Sequence, residues 1–597
     1  MLSDEAILWY NYTWNAPIDS IGLIDTGEFM NTGTWTFKEL KFPRPDLEVF
    51  RALYKDALDR VHQAKNGDDI VELLFEVDEL SRRITDVLTA TMIHHTMDME
   101  DERYAQDQHW FDENQHLFIK EIVDFNEAIY NSPYKDYVEE VIGPMYFVKT
   151  DIKSKTFCED NVPLQQREAE LLGEYQQIMD SCQAEILGEQ TNFMGLQDLF
   201  THDDREVRKA AFKAFSDFLA DNEERLEEIW GELLVVRDKQ GKNLGFENYI
   251  PLAYMERLRL SYGPKEIEAF RKQVLEEIVP ICSKIYEFQA KNLGLDEIKV
   301  YDESLLFKDG NAKPAGDVEY MFNETVKMLR DMSPETDEFI SFMLDHDLID
   351  YEERPGKAGR AYATVLPARK APFVFYHFNG TPPSLRSFHE GIGYAFAAYK
   401  ASRKQHLEEY YASSSDIMEI YAMSMVLLAN KYAEQFFGDD ARKYVFANLY
   451  NYITFIPFSV AVDEFQHICY GNLDMTPEER TKAWRELEKK YMPWRKYDDE
   501  DEFMEKGGYW YHKPHFFLYP FYYIEYSLAT INAMEMYQKY VERPSTAWKE
   551  YLELADLGGS RNYLETLSKA KLTPAFEEGA VAKSIEYVKS VLEDYME

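Results

Sequence analysis

The stretch Phe388-His389-Glu390-Gly391-Ile392-Gly393-Tyr394-Ala395-Phe396, followed by Asp416-Ile417-Met418-Glu419-Ile420-Tyr421-Ala422-Met423-Ser424-Met425, decides the fold. Both pieces are mostly apolar and free of proline, and each puts isolated polar groups on a helical repeat. Just upstream, Arg360 to Leu366 and Phe373 to Phe378 are rich in β-formers and bounded by glycine, proline and Asn379-Gly380, which predicts a small hairpin or sheet. The reading is therefore mainly α, with a minor β element beside the polar cluster.

Working outward, helix follows helix. Leu47 to Ala64 carries Val49, Leu53, Ala57 and Val61 at a spacing that predicts one buried stripe. Asp203-Asp204 then Glu206 starts another helix with acids in its first turn. Thr476-Pro477-Glu478-Glu479 has the cap, proline and glutamate of a capping box. The first 37 or so residues are aromatic and turn-rich and read as an extension. The expected organisation is that extension (1-37), an N-terminal helical lobe (38-200) and a larger region (201-597) holding the polar cluster.

The 597 residues include 65 Lys plus Arg against 109 Asp plus Glu, a net charge of -44. So large an acidic excess argues against a nucleic acid or an anionic membrane as partner and favours cationic ligands. Cys158, Cys182, Cys282 and Cys469 are too sparse and scattered for a disulfide framework or a zinc knuckle. Met1 to Glu5 has no basic or apolar leader pattern, and the best apolar run, Ile453 to Val462, is short and contains Pro457. A cytoplasmic location is expected.

With Lys357 to Tyr362, Val462 to His467, His515 to Tyr523 and Leu557 to Ser560 added, the chain resembles the thimet oligopeptidase/oligoendopeptidase F family of zinc peptidases from about Phe37 to about Leu592. The resemblance implies a two-lobed helical ellipsoid enclosing a large internal cavity. It also implies an HExxH helix, whose two imidazoles bind zinc and whose glutamate is the general base, and a further ligand glutamate on a following helix. Here the text departs. Starting at His389, the second imidazole's position is Gly393. In the gapless alternative, which matches Gly393-Tyr394-Ala395-Phe396 to the family's Gly-His-Ala-Phe, Glu390 replaces the first ligand, Gly391 the base and Tyr394 the second ligand. The gapless register is preferred because it brings Glu419 nearer the family's spacing.

Either register lacks zinc's usual donors, so no cofactor is expected; if a metal is present, His389 and Glu419 are its candidate ligands. The resemblance further implies that His515 with Tyr522 or Tyr523 holds the scissile carbonyl, and that the segment of Arg360 and Tyr362 pairs with an extended peptide. His377 is a candidate replacement imidazole, or is satisfied by a turn carbonyl. The expected site is thus Glu390, His515, Tyr522 and Tyr523 for chemistry, with Arg360, Tyr362, His377 and Tyr394 around the ligand. The expected function is an oligopeptide-binding, or small-cation-binding, homologue without the usual zinc site. The alternatives are an active metallo-oligopeptidase with a rebuilt zinc site, and a metal-independent enzyme acting on a modified peptide or small amine.

Overall fold

The computed structural model describes residues 35–597; nearly all of the expected N-terminal extension lies outside them. Helix makes up 72% and strand 3%, which places the protein in the mainly α class that its sequence predicts. Two compact units emerge, each assembled from three separate chain segments.

The first unit comprises 1–154, 314–436 and 545–570. Its helix Leu47–Gln63 begins at Asp46, whose carboxylate accepts from the backbone N–H groups of Glu48 and Val49. The buried stripe differs from the aliphatic one expected: it is Phe50, Tyr54, Ala57 and Val61. The larger rings bury more apolar area and turn the helix by one residue, leaving Val49 and Leu53 on the flank. Phe50 and Tyr54 then meet Phe118 and Phe125 of the helix Glu102–Tyr130.

The β element is a three-stranded sheet whose middle strand, Ala371–Phe375, is wholly buried. It pairs antiparallel with Tyr362–Leu366 and parallel with Ile349–Asp350. Arg360 and Ala361 precede the strand. Thr381, followed by Pro382, starts the motif helix, Pro382–Lys404, directly after this sheet. The motif helix packs on the acid helix, Ser415–Ala429. Their contact is close because residue 393 is glycine: a Cβ there would lie 2.8 Å from the Cα of Ala422 and 2.9 Å from the carbonyl oxygen of Tyr421. On the other side of the acid helix, Tyr421 donates its hydroxyl to the Leu554 carbonyl (3.0 Å), and Tyr551 donates to the Tyr421 carbonyl (3.0 Å).

The second unit comprises 155–313, 437–544 and 571–597. Its centre is aromatic: Trp230, Trp484 and Trp510 are fully buried among Phe465, Phe516 and Phe517. The helix Arg205–Asp221 starts at Asp204, and the capping box at Thr476 forms with both of its hydrogen bonds. One hairpin, Ala184–Ile186 with Glu189–Thr191, was not evident from the sequence; Leu187 and Gly188 turn it with φ of 57° and 82°, as a tight two-residue loop demands. The helix Ala441–Gly471 carries Pro457 and is buried on most of its faces. The span Ser415–Gly471 is longer and more apolar than the sequence reading allowed: by length and composition it would cross a membrane, yet 72% of its apolar window is buried within the protein, as in a core helix.

Candidate functional site

In the first unit the motif helix presents Tyr394 to the acid helix. The Tyr394 hydroxyl donates to Oε2 of Glu419 at 2.6 Å, and Glu419 is only 4% exposed. Glu390 lies one turn before Tyr394 on the same helix, half-buried. Tyr376, at the end of the central strand, completes the group. Burial raises its hydroxyl pKa, and the charges of Glu390 and Glu419 raise it further, so both carboxylates act on the Tyr376 hydroxyl.

Gly391 explains why Tyr376 fits. A Cβ at position 391 would meet the Tyr376 ring at 2.4 Å from Cε2 and 2.6 Å from Cζ, so the ring occupies the space into which any side chain at 391 would project. The two features exclude each other: a glutamate at 391 requires the tyrosine to leave a largely buried position.

His389, one residue and roughly 100° round the helix, points elsewhere. It is 1% exposed, its Nε2 lies 3.1 Å from the Thr325 hydroxyl, and its ring meets Phe436 edge-on at 5.4 Å. Burial pulls its pKa down to about 3, so the imidazole is neutral. His377 is held too: Nδ1 faces the Glu353 carboxylate at 2.8 Å and Nε2 the Ala358 carbonyl at 2.6 Å. Tyr362 bonds Thr96 through its hydroxyl (2.6 Å) and stacks on Phe375, with the exposed Arg360 guanidinium 5.7 Å from its ring.

The side chains gathered at Glu419 are therefore a second carboxylate and two phenols. Zinc in proteins takes imidazole or thiolate for most of its ligands, and this oxygen-only set, one oxygen of it already engaged by Tyr394, does not fit zinc. Among the described residues, no group of three or more His, Cys, Asp or Glu could hold a metal ion.

The second unit holds the remaining expected residues. His515 lies in a tyrosine cluster: its ring is 4.6 Å from that of Tyr523, 5.7 Å from Tyr519, 6.1 Å from Tyr526 and stacked 6.2 Å from Tyr522. Burial, then Lys513, Arg257 and His512, brings the His515 pKa down to about 3. A turn at Phe521 delivers these tyrosines. Phe521 adopts a φ of 60°, unusual for a bulky residue, and is pinned by its N–H on Gln466 Oε1 (2.5 Å) and by Arg259 on its carbonyl. Behind the turn, buried Glu525 accepts bonds from Arg257 (2.6 and 2.8 Å) and Arg259 (3.1 and 2.9 Å), and the Arg257 guanidinium lies 4.2 Å from the Tyr522 ring centroid. Sequence reasoning passed over Lys513 and Tyr376. Their adjacency to His515 and to the sheet was visible in the text, but their burial was not.

Comparison with known proteins matches residues 37–157 to the peptidase M3 N-terminal domain and residues 199–584 to peptidase family M3. An oligoendopeptidase F homologue from Borreliella burgdorferi is 21% identical over 387 residues, which span 62% of each chain. Among solved structures, PZ peptidase A, crystallised with an inhibitor, is 34% identical with a TM-score of 0.85, covering 94% of this chain and 99% of that one. An oligoendopeptidase F-type structure from Bacillus anthracis is 33% identical with a TM-score of 0.81 over the same shares. On these matches, spread over both units, the chain belongs to peptidase family M3.

Proposed function

We propose that this M3-family chain binds peptides and does not hydrolyse them by the family's usual zinc mechanism. The observation that carries the reading is the pairing of Tyr394 with Glu419, with Tyr376 standing where a side chain on residue 391 would go. In the gapless register, both imidazoles and the general base are replaced, and the local packing is built around the replacements. The His515 and tyrosine cluster, whose residue types match those the family uses to hold a peptide carbonyl, supports retained peptide binding. Glu390 and Glu419 favour a basic peptide residue or a small cationic ligand in the first unit.

The test is metal analysis of purified protein together with binding and cleavage of a fluorogenic oligopeptide, with and without added zinc. The expected result is binding without cleavage and without stoichiometric zinc. Stoichiometric zinc with cleavage that a chelator abolishes would overturn the reading.

A further inference from the structure

In the second unit the interior cations are matched to acids: Arg237 to Glu168 (2.7 Å), Arg259 to Glu525 (2.9 Å), Arg271 to Asp463 (2.5 Å) and Arg495 to Glu303 (2.6 Å). Lys513 is different. Its ammonium lies 4.7 Å from the ring centroid of Tyr523, and among the described residues no carboxylate, carbonyl or hydroxyl is within hydrogen-bond reach. The side chain is half-buried, and loss of water lowers its pKa to about 8. A desolvated ammonium without a counter-ion is costly, and in a chain with 109 acids against 65 bases its isolation stands out.

His515 leans on the same ring. Its Nδ1 is enclosed and without a hydrogen-bond partner among the described residues, and the ring as a whole is half-buried. Arg257 adds positive potential, but its guanidinium is already committed to Glu525. Tyr519, half exposed, stands at the rim.

We propose that Lys513 and His515, walled by Tyr519, Tyr522 and Tyr523, form a subsite for one carboxylate of a peptide ligand, its free C-terminus. A single uncommitted ammonium matches a monoanion better than a phosphate dianion, and His515 donates through Nε2 when that nitrogen carries the proton. The rings cover the terminal residue. The proposal rests on the peptide-binding reading.

The experiment compares three fluorescein-labelled probes on the full chain: an alanine peptide with a free C-terminus, its C-terminal amide, and an amidated version ending in glutamate. Wild type should bind the free acid about tenfold more tightly than the amide. Lys513→Met should bind both alike, and Lys513→Arg should keep the preference. Equal binding of acid and amide by wild type would overturn the subsite. Full recovery by the amidated glutamate probe would overturn the assignment to the terminus in favour of an acidic side chain. If no probe binds, the peptide reading fails, and the subsite is judged by NMR of ¹³C-labelled lysine with N-acetylalanine. A rise in the Lys513 pKa, traced by its absence in Lys513→Met, supports the subsite; an unchanged pKa overturns it.

Discussion

The motif helix in the first unit and the His515 turn in the second are built in different ways. Around Glu419 the geometry is helix on helix: Gly393 lets the backbones touch and Tyr394 spans to the carboxylate. Around His515 the geometry is a turn, and the surroundings are electropositive through Lys513 and Arg257. Packing at the first site does not depend on the chemistry that a metal would supply. At the second, a network of buried ion pairs holds the reactive-looking groups in place. One chain thus presents an acidic face and a basic face, each resting on its own scaffold.

The sharpest way to break the comparison is at Glu525, which is fully buried between Arg257 and Arg259. Glu525→Ala should cost about 3–5 kcal/mol, because it leaves two cations without their partner; chemical denaturation measures the loss, and peptide binding should fall with it. Gly393→Leu attacks the other scaffold. Its side chain must displace the acid helix, at about 3 kcal/mol by the same measurement.

Next in size is Gly391→Glu, which should cost about 2 kcal/mol in the presence of Tyr376, with Tyr376→Ala relieving part of that cost in the double variant. Additive costs in that double-mutant cycle would show that the ring does not block position 391. It follows that restoring the family pattern takes four changes rather than three: Glu390→His, Gly391→Glu, Tyr394→His and a smaller residue at 376. Tyr394→Phe should cost about 1.5 kcal/mol, the size of a hydrogen bond to a carboxylate.

The smallest effect is one of pH. Lys513 is charged below about 8 and loses its proton above it. The preference for a free C-terminus should therefore be full near neutrality and fade as the pH rises through that value. His512 and His515, both held down to about 3, stay neutral across this window, so titration of the peptide's acid–amide difference follows Lys513.

Much of the fold was legible. The caps at Asp204 and Thr476 and the strands ahead of the motif helix follow from local chemistry. That Tyr394 lies one turn after Glu390 is a helical count, and the structure adds its hydrogen bond to Glu419. What stayed hidden depended on tertiary contact. No periodicity links Tyr376 to Gly391, because one sits on a strand end and the other on a helix. Lysine is by default a solvated residue, so Lys513 gave no signal beside His515 until its burial was seen. The stripe on Leu47–Gln63 was misplaced because an aliphatic pattern competed with Phe50 and Tyr54, and the partners that favour the rings lie on another helix.

The threading of the chain has a consequence for its synthesis. The first unit begins with the N-terminal segment but is completed only by residues 545–570, and the second only by the last residues after 570. Tyr551, which bonds the acid helix, leaves the ribosome more than a hundred residues after that helix. Neither unit can close before its final segment has been made. Until residues 545–597 have emerged, the nascent chain carries unfinished apolar surface in both units.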